Sequence, residues 1–240
     1  MLRRRWSATR WTAAVALAAL ASGLLLGVPI AARAAEPAVV IPPPALDNPK
    51  APGPTQTAVL AGGCFWGVQG VYQHVRGVQR VLSGYAGGTK ATADYEAVSR
   101  GNTGHAESVE VRFDPRELSY GDVLQIYFSV VHDPTQLDRQ GPDAGPQYRS
   151  NIFYTDESQK RVAQAYITQL EKAKVFARAI VTRVDALSAF YPAEAYHQDF
   201  LLKNPRYPYI VIHDLPKIEN LKRVFPARYN ERPVTAVTSN

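Results

Sequence analysis

The chain has 240 residues, of which 46% are hydrophobic and 20% are charged, a length that suits one globular domain with an adequate core. Its formal charge of +6 comes from 27 basic and 21 acidic residues, but residues 1–34 hold five arginines and no acid, which leaves 22 basic against 21 acidic residues elsewhere. The basic balance therefore does not support binding to nucleic acid. The sequence also contains no P-loop and no dinucleotide-binding glycine motif after a predicted strand.

The first 34 residues have the three parts of a secretory signal. A basic start, MLRRRWSATRW, precedes the apolar run TAAVALAALASGLLLGVPIAA and the small residues of ARAAEP. We predict that residues 1–34 are a signal peptide and that the protein is exported to the periplasm. The alternative is an uncleaved membrane anchor facing the periplasm, because the apolar run is just long enough to span a bilayer.

Residues 35–55 are rich in proline and are predicted to be an extended linker, because proline cannot join strand ladders or helix interiors. Residues 56–230 form the predicted domain, and residues 231–240 a disordered tail. Strands alternate with helices in the domain, which indicates an α/β or α+β fold. The first half of the domain has a buried strand at TAVLAGG, a helix from Phe65 that stops at Gly77, and strands at VQRVLSGYAGG and AESVEVRFD. A helix then runs from the capping box of Ser119 and Asp122 to His132, and a strand follows at NIFYT. The last elements are a helix capped by Thr155, a strand at AIVTRVD, and helices at PAEAYHQDFLLKN and IENLKRVF.

The only cysteine, Cys64, lies at the predicted strand-to-helix junction in GGCFWG. A single cysteine cannot form an internal disulfide, so it is either buried and inert or exposed and reactive. Free N–H groups and the positive end of the dipole at a helix start favour a thiolate, and the flanking glycines allow close approach. These features favour a nucleophile over a small residue packed beneath the helix. Phe65 and Trp66 either wall an apolar pocket beside it or belong to the core.

A second candidate lies in GNTGHAESVEV. The alternation places Val109, Val111 and Phe113 on one face of the strand, and Glu107 is the next residue on that face. Burial raises the pKa of a carboxyl, so a buried Glu107 would stay protonated near neutral pH and act as a proton donor. The alternative is a strand-end glutamate that turns to solvent or pairs with an arginine.

Histidines offer a rival interpretation. Cys64 with His105, His132 or His197 would form the thiol–histidine dyad of a hydrolase, with Asp or Asn as the orienting group. Glu194 and His197 share one helical face, but no second pair of potential ligands accompanies them, so we expect no metal site.

Six stretches occur in an order that one known family shares: GGCFWG, GYAGG, DYEAVSRGNTGHAE, HDPTQ, RQGPDAGPQYRS and YPAEAYHQDFL. Together they resemble the A-class peptide-methionine sulfoxide reductases over roughly residues 57–210. GCFWG, GHAE and QYRS are highly specific in combination, although none of them is so alone. The resemblance implies an α+β fold, with a mixed sheet and flanking helices around a ferredoxin-like βαββαβ core.

The resemblance also implies site roles. Cys64 matches the nucleophile, and Glu107 matches the acid that protonates the sulfoxide oxygen. The implied reaction reduces the S epimer of methionine sulfoxide, free or in peptides and proteins, and leaves Cys64 as a sulfenic acid. The residues that match substrate contacts are Phe65 and Trp66 around the methyl group, Tyr95 and Tyr148 as donors to the oxygen, and Asp143 as a nearby loop carboxylate.

Two departures from the family matter. Many relatives carry resolving cysteines near the C-terminus, but NPRYPYIVIHDLPKIENLKRVFPARY contains none. We therefore expect an external thiol to reduce Cys64, either a small thiol or a thioredoxin-like or glutaredoxin-like partner. We expect no bound cofactor. Pro146 replaces the threonine usual in the family, which predicts a stiffer loop under Tyr148. We expect a monomer, and besides the hydrolase one alternative stays open, a non-enzymatic module that binds methionine or oxidised peptides.

Overall fold

The computed structural model describes residues 37–48 and 53–236, and its fold is α+β. The predicted signal peptide lies outside the described residues. Across the residues that are described, no helix has the length and apolar character needed to cross a membrane.

Strands and helices alternate along most of the described domain. The strands are β1 (Gln56–Ala61), β2 (Val78–Ala86), β3 (Ala106–Phe113), β4 (Arg139–Gln140), β5 (Asp143–Ala144), β6 (Asn151–Tyr154), β7 (Arg183–Ala186) and β8 (Phe190–Pro192). The helices are α1 (Phe65–Gln73), α2 (Tyr95–Val98), α3 (Tyr120–Ile126), α4 (Glu157–Lys172), α5 (Phe200–Lys203) and α6 (Leu215–Val224). Two π-helical segments adjoin α3 and α6, at Tyr127–Val131 and Ile210–Asp214.

The six-stranded sheet is mixed and has the order β7-β6-β1-β3-β2-β8. Its central strands pair antiparallel in the order β6-β1-β3-β2, with α1 between β1 and β2 and α3 between β3 and β6. This is the connectivity of a ferredoxin-like βαββαβ core, so the predicted fold is confirmed. Helix α4 then leads to β7, which runs parallel to β6, and β8 adds an antiparallel strand beside β2.

Alternating side chains give the sheet two apolar faces. Leu60, Val109 and Val111 belong to the main core, where the apolar residues of α1 and α3 pack. Val59 and Phe153 belong to a smaller cluster on the opposite face. Glu107 shares the face of Val109 by the same alternation, as the sequence predicted.

Local signals account for the starts of α3 and α4. Ser119 and Asp122 form the predicted capping box at α3. At α4 the predicted cap is wrong, because Asp156 rather than Thr155 is the N-cap residue, and its carboxylate accepts the Gln159 N–H at 2.9 Å. The shift by one residue follows from the stronger cap that a carboxylate offers at the positive end of a helix.

The helix predicted in PAEAYHQDFLLKN is reduced to α5. Asp199, immediately before α5, has a φ of 59°, in the left-handed region, so a right-handed helix cannot continue through it. The Gln73 side-chain amide donates to the Asp199 carboxylate at 2.7 Å, and the Asp199 N–H donates to Gln69 at 2.9 Å. Contacts with α1 therefore override the local helical preference.

Residues 37–48, called the strap below, lie within the predicted linker and pack on the domain without regular secondary structure. Ile41 is buried in the main core. The strap accepts hydrogen bonds at the Pro42 carbonyl from Tyr166 (2.6 Å), at the Ile41 carbonyl from Gln125 (2.9 Å), and at the Asp47 carboxylate from Ser119 (2.5 Å) and Gly121 (2.7 Å).

The predicted disordered tail is corrected for residues 231–236. The Val234 N–H donates to the Gln73 carbonyl at 2.9 Å, and the Ala236 N–H donates to the Asp199 carboxylate at 2.8 Å. Ala236 is also buried. These bonds hold the segment against the end of α1 and the residue before α5, whereas residues 237–240 lie outside the described residues.

Candidate active site

The pairing of β1 with β3 brings the two predicted catalytic residues together. Leu60 faces Val109 in the antiparallel register, so the end of β1 lies beside the start of β3. Cys64 follows β1, and Glu107 is near the start of β3. The N–H of Phe65, the residue after Cys64, donates a hydrogen bond of 3.0 Å to Glu107 Oε2.

Cys64 is the N-cap residue of α1 and is partly exposed. The preceding Gly63 has a φ of 87°, and a Cβ there would lie 2.6 Å from the Cβ of Gln140. Only glycine fits this turn, which aims the chain into α1. The Trp66 N–H, a free amide of the first helical turn, points at the Cys64 sulfur and favours its anion.

Burial outweighs that amide, and three carboxylates add to its effect. Burial raises the pKa of the Cys64 thiol well above its usual range, and the charges of Glu107, Asp214 and Asp143 raise it further. The resting thiol is therefore protonated at neutral pH, contrary to the expectation that the helix start would favour a thiolate. The reason is that burial, reinforced by carboxylates from elements distant in sequence, counteracts the helix start.

Glu107 is 3% exposed, and burial raises its pKa to about 8. The hydrogen bond from Phe65 favours the ionised form and opposes this shift, whereas the charges of Asp143 and Asp214 add to it. Glu107 is thus mostly protonated at pH 7. It has the buried, neutral state that the strand alternation predicted.

Two predicted phenols, Tyr95 and Tyr148, lie within electrostatic range of Glu107 and Cys64. Burial raises the pKa of both phenols, and the charges of Glu107 and Cys64 raise it further. Both therefore remain hydrogen-bond donors. Tyr95 is the first residue of α2, and Tyr148 ends the 3-10 turn that begins at Pro146. Pro146 suits that first position because its φ is already fixed, but the stiffness of the loop stays a prediction.

Arg149 fastens the loop that carries Tyr148. Its Nη1 donates to the carbonyls of His105 at 3.1 Å and Pro146 at 2.8 Å, and its Nη2 donates to the carbonyl of Gly104 at 2.8 Å. The guanidinium thus joins the loop to the residues just before β3. Sequence reasoning assigned Arg149 no role, because its acceptors are backbone carbonyls that no local pattern reveals.

Asp143 begins β5 and accepts a hydrogen bond from the Tyr209 hydroxyl. Burial raises the Asp143 pKa, and the bond from Tyr209 and the charge of Lys217 oppose the shift. The Tyr209 ring stands edge-on to Trp66, with ring centroids 6.1 Å apart. Tyr209 therefore belongs to the site, although the sequence offered no signal for it.

The two predicted aromatic residues differ in environment. Phe65 is 1% exposed and packs with its ring centroid 5.0 Å from that of His197. Trp66 is partly exposed, stacks on Phe200 at 3.8 Å, and donates from Nε1 to His197 Nδ1 at 3.1 Å. Trp66 thus presents the accessible apolar surface, and Phe65 supports it from the core.

Glu194 and His197 position other site residues. Glu194 accepts the Tyr85 hydroxyl and the Tyr95 N–H, both at 2.9 Å, so it anchors the start of α2. His197 holds the Trp66 indole. Among residues 37–48 and 53–236, no cluster of three or more His, Cys, Asp or Glu side chains is arranged to hold a metal.

The histidines proposed as hydrolase bases bind other groups. His105 accepts the Gly88 N–H at Nδ1 and contacts the Thr89 carbonyl through Nε2. The His132 Nδ1 bonds to the Tyr127 carbonyl, and burial lowers the pKa of His132 to about 3. With His197 engaged by Trp66, the hydrogen bonds of these rings do not support a thiol–histidine dyad.

Comparison with known proteins points to one family. Residues 56–229 match the family described as peptide methionine sulfoxide reductase. Peptide methionine sulfoxide reductase MsrA 2 of Mesorhizobium japonicum is 58% identical over 195 residues, which cover 81% of this chain and 100% of that protein. A protein of the same name from Synechocystis is 55% identical over 190 residues, which cover 78% of this chain and 88% of that protein.

Solved structures agree with the sequence comparison. Mxr1 of Saccharomyces cerevisiae in reduced form has a TM-score of 0.59 at 29% identity, over 70% of this chain and 96% of that one. Methionine sulfoxide reductase A of Corynebacterium diphtheriae has a TM-score of 0.55 at 29% identity, over 72% of this chain and 91% of that one. The match to most of the chain, and relatives this similar along nearly their whole length, show that the chain belongs to the peptide methionine sulfoxide reductase family.

Proposed function

We propose that this chain reduces the S epimer of methionine sulfoxide to methionine, with Cys64 as the nucleophile and Glu107 as the proton donor. The observation that carries the proposal is the 3.0 Å hydrogen bond from the Phe65 N–H to Glu107, which fixes a protonated carboxyl beside the only thiol. Sulfoxide reduction needs both groups, because the oxygen leaves readily only after it is protonated. The substrates are oxidised proteins, peptides or free methionine sulfoxide.

The resting site holds one proton on Cys64 and one on Glu107. Glu107 transfers its proton to the sulfoxide oxygen as the Cys64 sulfur forms a bond to the substrate sulfur, and the thiol proton replaces the one that Glu107 lost. The S–O bond and the new S–S bond then break and the hydroxyl passes to the Cys64 sulfur, which becomes a sulfenic acid, while one electron pair of the broken bonds stays on the substrate sulfur. The substrate sulfur, reduced by two electrons, leaves as the thioether of methionine.

The surrounding side chains contact either the oxygen or the methyl group of the sulfoxide. Tyr95 and Tyr148 are neutral phenols near Glu107 and donate hydrogen bonds to the oxygen. Trp66, backed by Phe65, packs against the methyl group. Asp143, held by Tyr209, borders the pocket. Together these contacts select a small group that is polar on one side and apolar on the other.

Recycling needs an external thiol, because the chain has one cysteine. That thiol attacks the sulfenic sulfur, releases water and forms a mixed disulfide with Cys64, and a second thiol then frees Cys64. We propose a thioredoxin-like or glutaredoxin-like protein, or a small thiol, as the donor. Incubation of the sulfenic form with a thioredoxin-like protein that lacks its second cysteine should trap the mixed disulfide, and turnover with a non-thiol donor alone would contradict the scheme.

We also propose that the enzyme works outside the cytoplasm. The support is the basic, apolar and small-residue order of residues 1–34. Fractionation of cells that express the full chain should recover a shortened protein in the periplasm. Recovery of the full-length protein in the membrane would favour the anchored alternative.

The activity test is a dithiothreitol-coupled assay with each sulfoxide epimer of a blocked methionine. We expect turnover of the S epimer alone and none with Cys64→Ser. Glu107→Gln should keep a thiol that iodoacetamide can alkylate but lose at least about 100-fold in turnover, the lower range for a general acid. Wild-type turnover in that variant would remove the acid role.

The same assay separates the two alternatives. A hydrolase would be blocked by iodoacetamide but would not consume dithiothreitol when a methyl sulfoxide is added. A binding module would bind the sulfoxide in both wild type and Cys64→Ser without turning it over.

A further inference from the structure

Asp214 and Lys217, near the start of α6, form an ion pair that lies against the first turn of α1. Asp214, just before α6, has 0% of its surface exposed, and Lys217 Nζ lies 3.5 Å from its Oδ1. Apart from the contact with Lys217, neither carboxylate oxygen of Asp214 has a hydrogen-bond partner among the described residues. Buried polar groups are usually hydrogen-bonded, so a carboxylate left in this state calls for a functional reason.

Gly67 shows how close that carboxylate lies to the nucleophile. A Cβ at Gly67 would stand 2.1 Å from Asp214 Oδ1 and 3.1 Å from Lys217 Nζ. The carboxylate therefore occupies the space beside the first turn of α1 that a side chain would need. Cys64 is the N-cap of that same turn, and the Asp214 charge is one of those that raise the pKa of its thiol.

We propose that Asp214 is a positioning residue whose negative charge keeps the Cys64 thiol protonated when no substrate is bound. Peroxide and electrophiles react with a thiolate rather than with a thiol. The chain has no second cysteine to capture an oxidised Cys64. Suppressing the thiolate between turnovers thus protects the only reactive sulfur from irreversible oxidation. The proposal rests on the proposed function only for the identity of the nucleophile.

The charge state of Asp214 fits this role. Burial raises the Asp214 pKa to about 6, against the opposing effect of Lys217. Asp214 is therefore ionised above about pH 6, which is the range in which a thiolate would otherwise begin to form. The other titratable groups around the pair and the thiol are Glu107, Asp143, Tyr95, Tyr148, Tyr209, His213 and His132.

The test is the rate of iodoacetamide alkylation of Cys64 from pH 5 to 10, measured on the reduced protein without substrate. Asp214→Asn should lower the apparent thiol pKa. Each unit of lowering multiplies the thiolate population about tenfold below both pKa values, while the intrinsic reactivity of the thiolate falls about threefold. Alkylation at neutral pH should therefore rise about threefold per unit, and above both pKa values it should fall. Inactivation by peroxide at pH 7 should also be faster.

Two further variants serve as controls for the Asp214→Asn experiment. Asp199→Asn removes another buried carboxylate, which is bonded to Gln73 at the far end of α1, and should leave the alkylation profile unchanged. Asp214→Leu with Lys217→Met replaces both charges by apolar groups, a change that buried ion pairs usually tolerate, and should lower the apparent thiol pKa by less than Asp214→Asn, because the opposing positive charge of Lys217 is removed as well.

A folded Asp214→Asn variant with the wild-type profile would overturn the proposal, as would alkylation of that variant that is slower at every pH. Because alkylation needs no sulfoxide, this failure is distinct from a failure of the proposed reductase activity. Absence of sulfoxide turnover in the wild type with the expected alkylation shift would count against the proposed function alone.

Discussion

Glu107 is mostly neutral at pH 7 because of its place in β3 rather than because of any unusual neighbour. The strand alternation turns its carboxyl toward the main core, and burial raises its pKa to about 8. The hydrogen bond from Phe65 limits the shift and also fixes the carboxyl beside the nucleophile. The Phe65 amide thus both orients the Glu107 carboxyl and limits the rise in its pKa.

This buried carboxyl predicts a pH-dependent stability. The folded-state pKa of about 8 lies above the ordinary value of 4.5, so the folded protein binds the extra proton and loses stability as pH rises from about 4.5 to 8. Glu107→Gln removes that loss. The difference in free energy of unfolding between variant and wild type should therefore shift in favour of the variant across this window and level off above about pH 8. Urea denaturation at a series of pH values measures it, and parallel curves would contradict the assigned burial.

Local patterns were sufficient for only some residues of the site. A strand, a glycine turn and a helix favoured Cys64 as a nucleophile. Period-two alternation made Glu107 a candidate but left open a glutamate that turns to solvent, and the family resemblance assigned its role as an acid. Tyr209 and Asp214 had no such signal, because their contacts with Trp66 and the first turn of α1 depend on how the C-terminal segment folds back. Residues whose role is set by long-range contacts are invisible to periodicity.

At the scale of elements, Gly67 couples α1 to the segment before α6. In most helices Gly→Ala stabilises by about 1 kcal/mol. Here the added Cβ would stand 2.1 Å from Asp214 Oδ1, so Gly67→Ala should instead destabilise the fold by about 1–3 kcal/mol, as overpacking does. Thermal unfolding measures the effect.

A double-mutant cycle identifies the cause of that loss. In an Asp214→Ala, Lys217→Met background the obstructing carboxylate is gone, so Gly67→Ala should no longer destabilise. A penalty of the same size in both backgrounds would place the strain elsewhere in α1.

The strap contributes to stability through the start of α3. Asp47 accepts hydrogen bonds from the Ser119 hydroxyl and the Gly121 N–H. Asp47→Ala should lower the free energy of unfolding by about 1–3 kcal/mol, because it leaves two donors without their partner. Urea denaturation gives the value, and specific activity at a temperature well below unfolding should not change.

A neighbour in the strap supplies the control. Leu46 is half exposed, so Leu46→Ala should change stability by no more than about 0.5 kcal/mol. Equal losses for Asp47→Ala and Leu46→Ala would mean that the strap acts by general contact rather than through these two bonds.

For the whole molecule, the alternation of strands and helices indicated an α/β or α+β fold, because β1, β2 and β3 and the helices between and after them carry clear periods, whereas the βαββαβ order was implied only by the family resemblance. Strands β4, β5 and β8 were missed, since two or three residues are too short to show a period. The helix predicted at PAEAYHQDFLLKN was instead too long, because Asp199 takes a left-handed conformation under tertiary contacts and leaves only α5. Short elements at the edges of the fold are determined by what they pack against.

The single cysteine predicts the stoichiometry of the isolated enzyme. Without any thiol, the reduced protein should release one methionine per chain and then stop, because Cys64 remains as sulfenic acid. Rapid mixing with excess sulfoxide and quantification of methionine checks this, with dimedone labelling of Cys64 as the parallel readout. Release of more than one equivalent would require a reductant that the chain does not contain.

The packing of Trp66 has an optical consequence. It is the only tryptophan among the described residues, and the other two, Trp6 and Trp11, precede residue 35. Its indole lies against Phe200 and His197, and Trp66 belongs to the first turn of α1, two residues after Cys64. Indole fluorescence depends on local polarity and on nearby quenching groups. A mature form without residues 1–34 would therefore contain a single tryptophan, Trp66. Each oxidation or reduction of the Cys64 sulfur should then change the intensity or the emission maximum of Trp66 fluorescence.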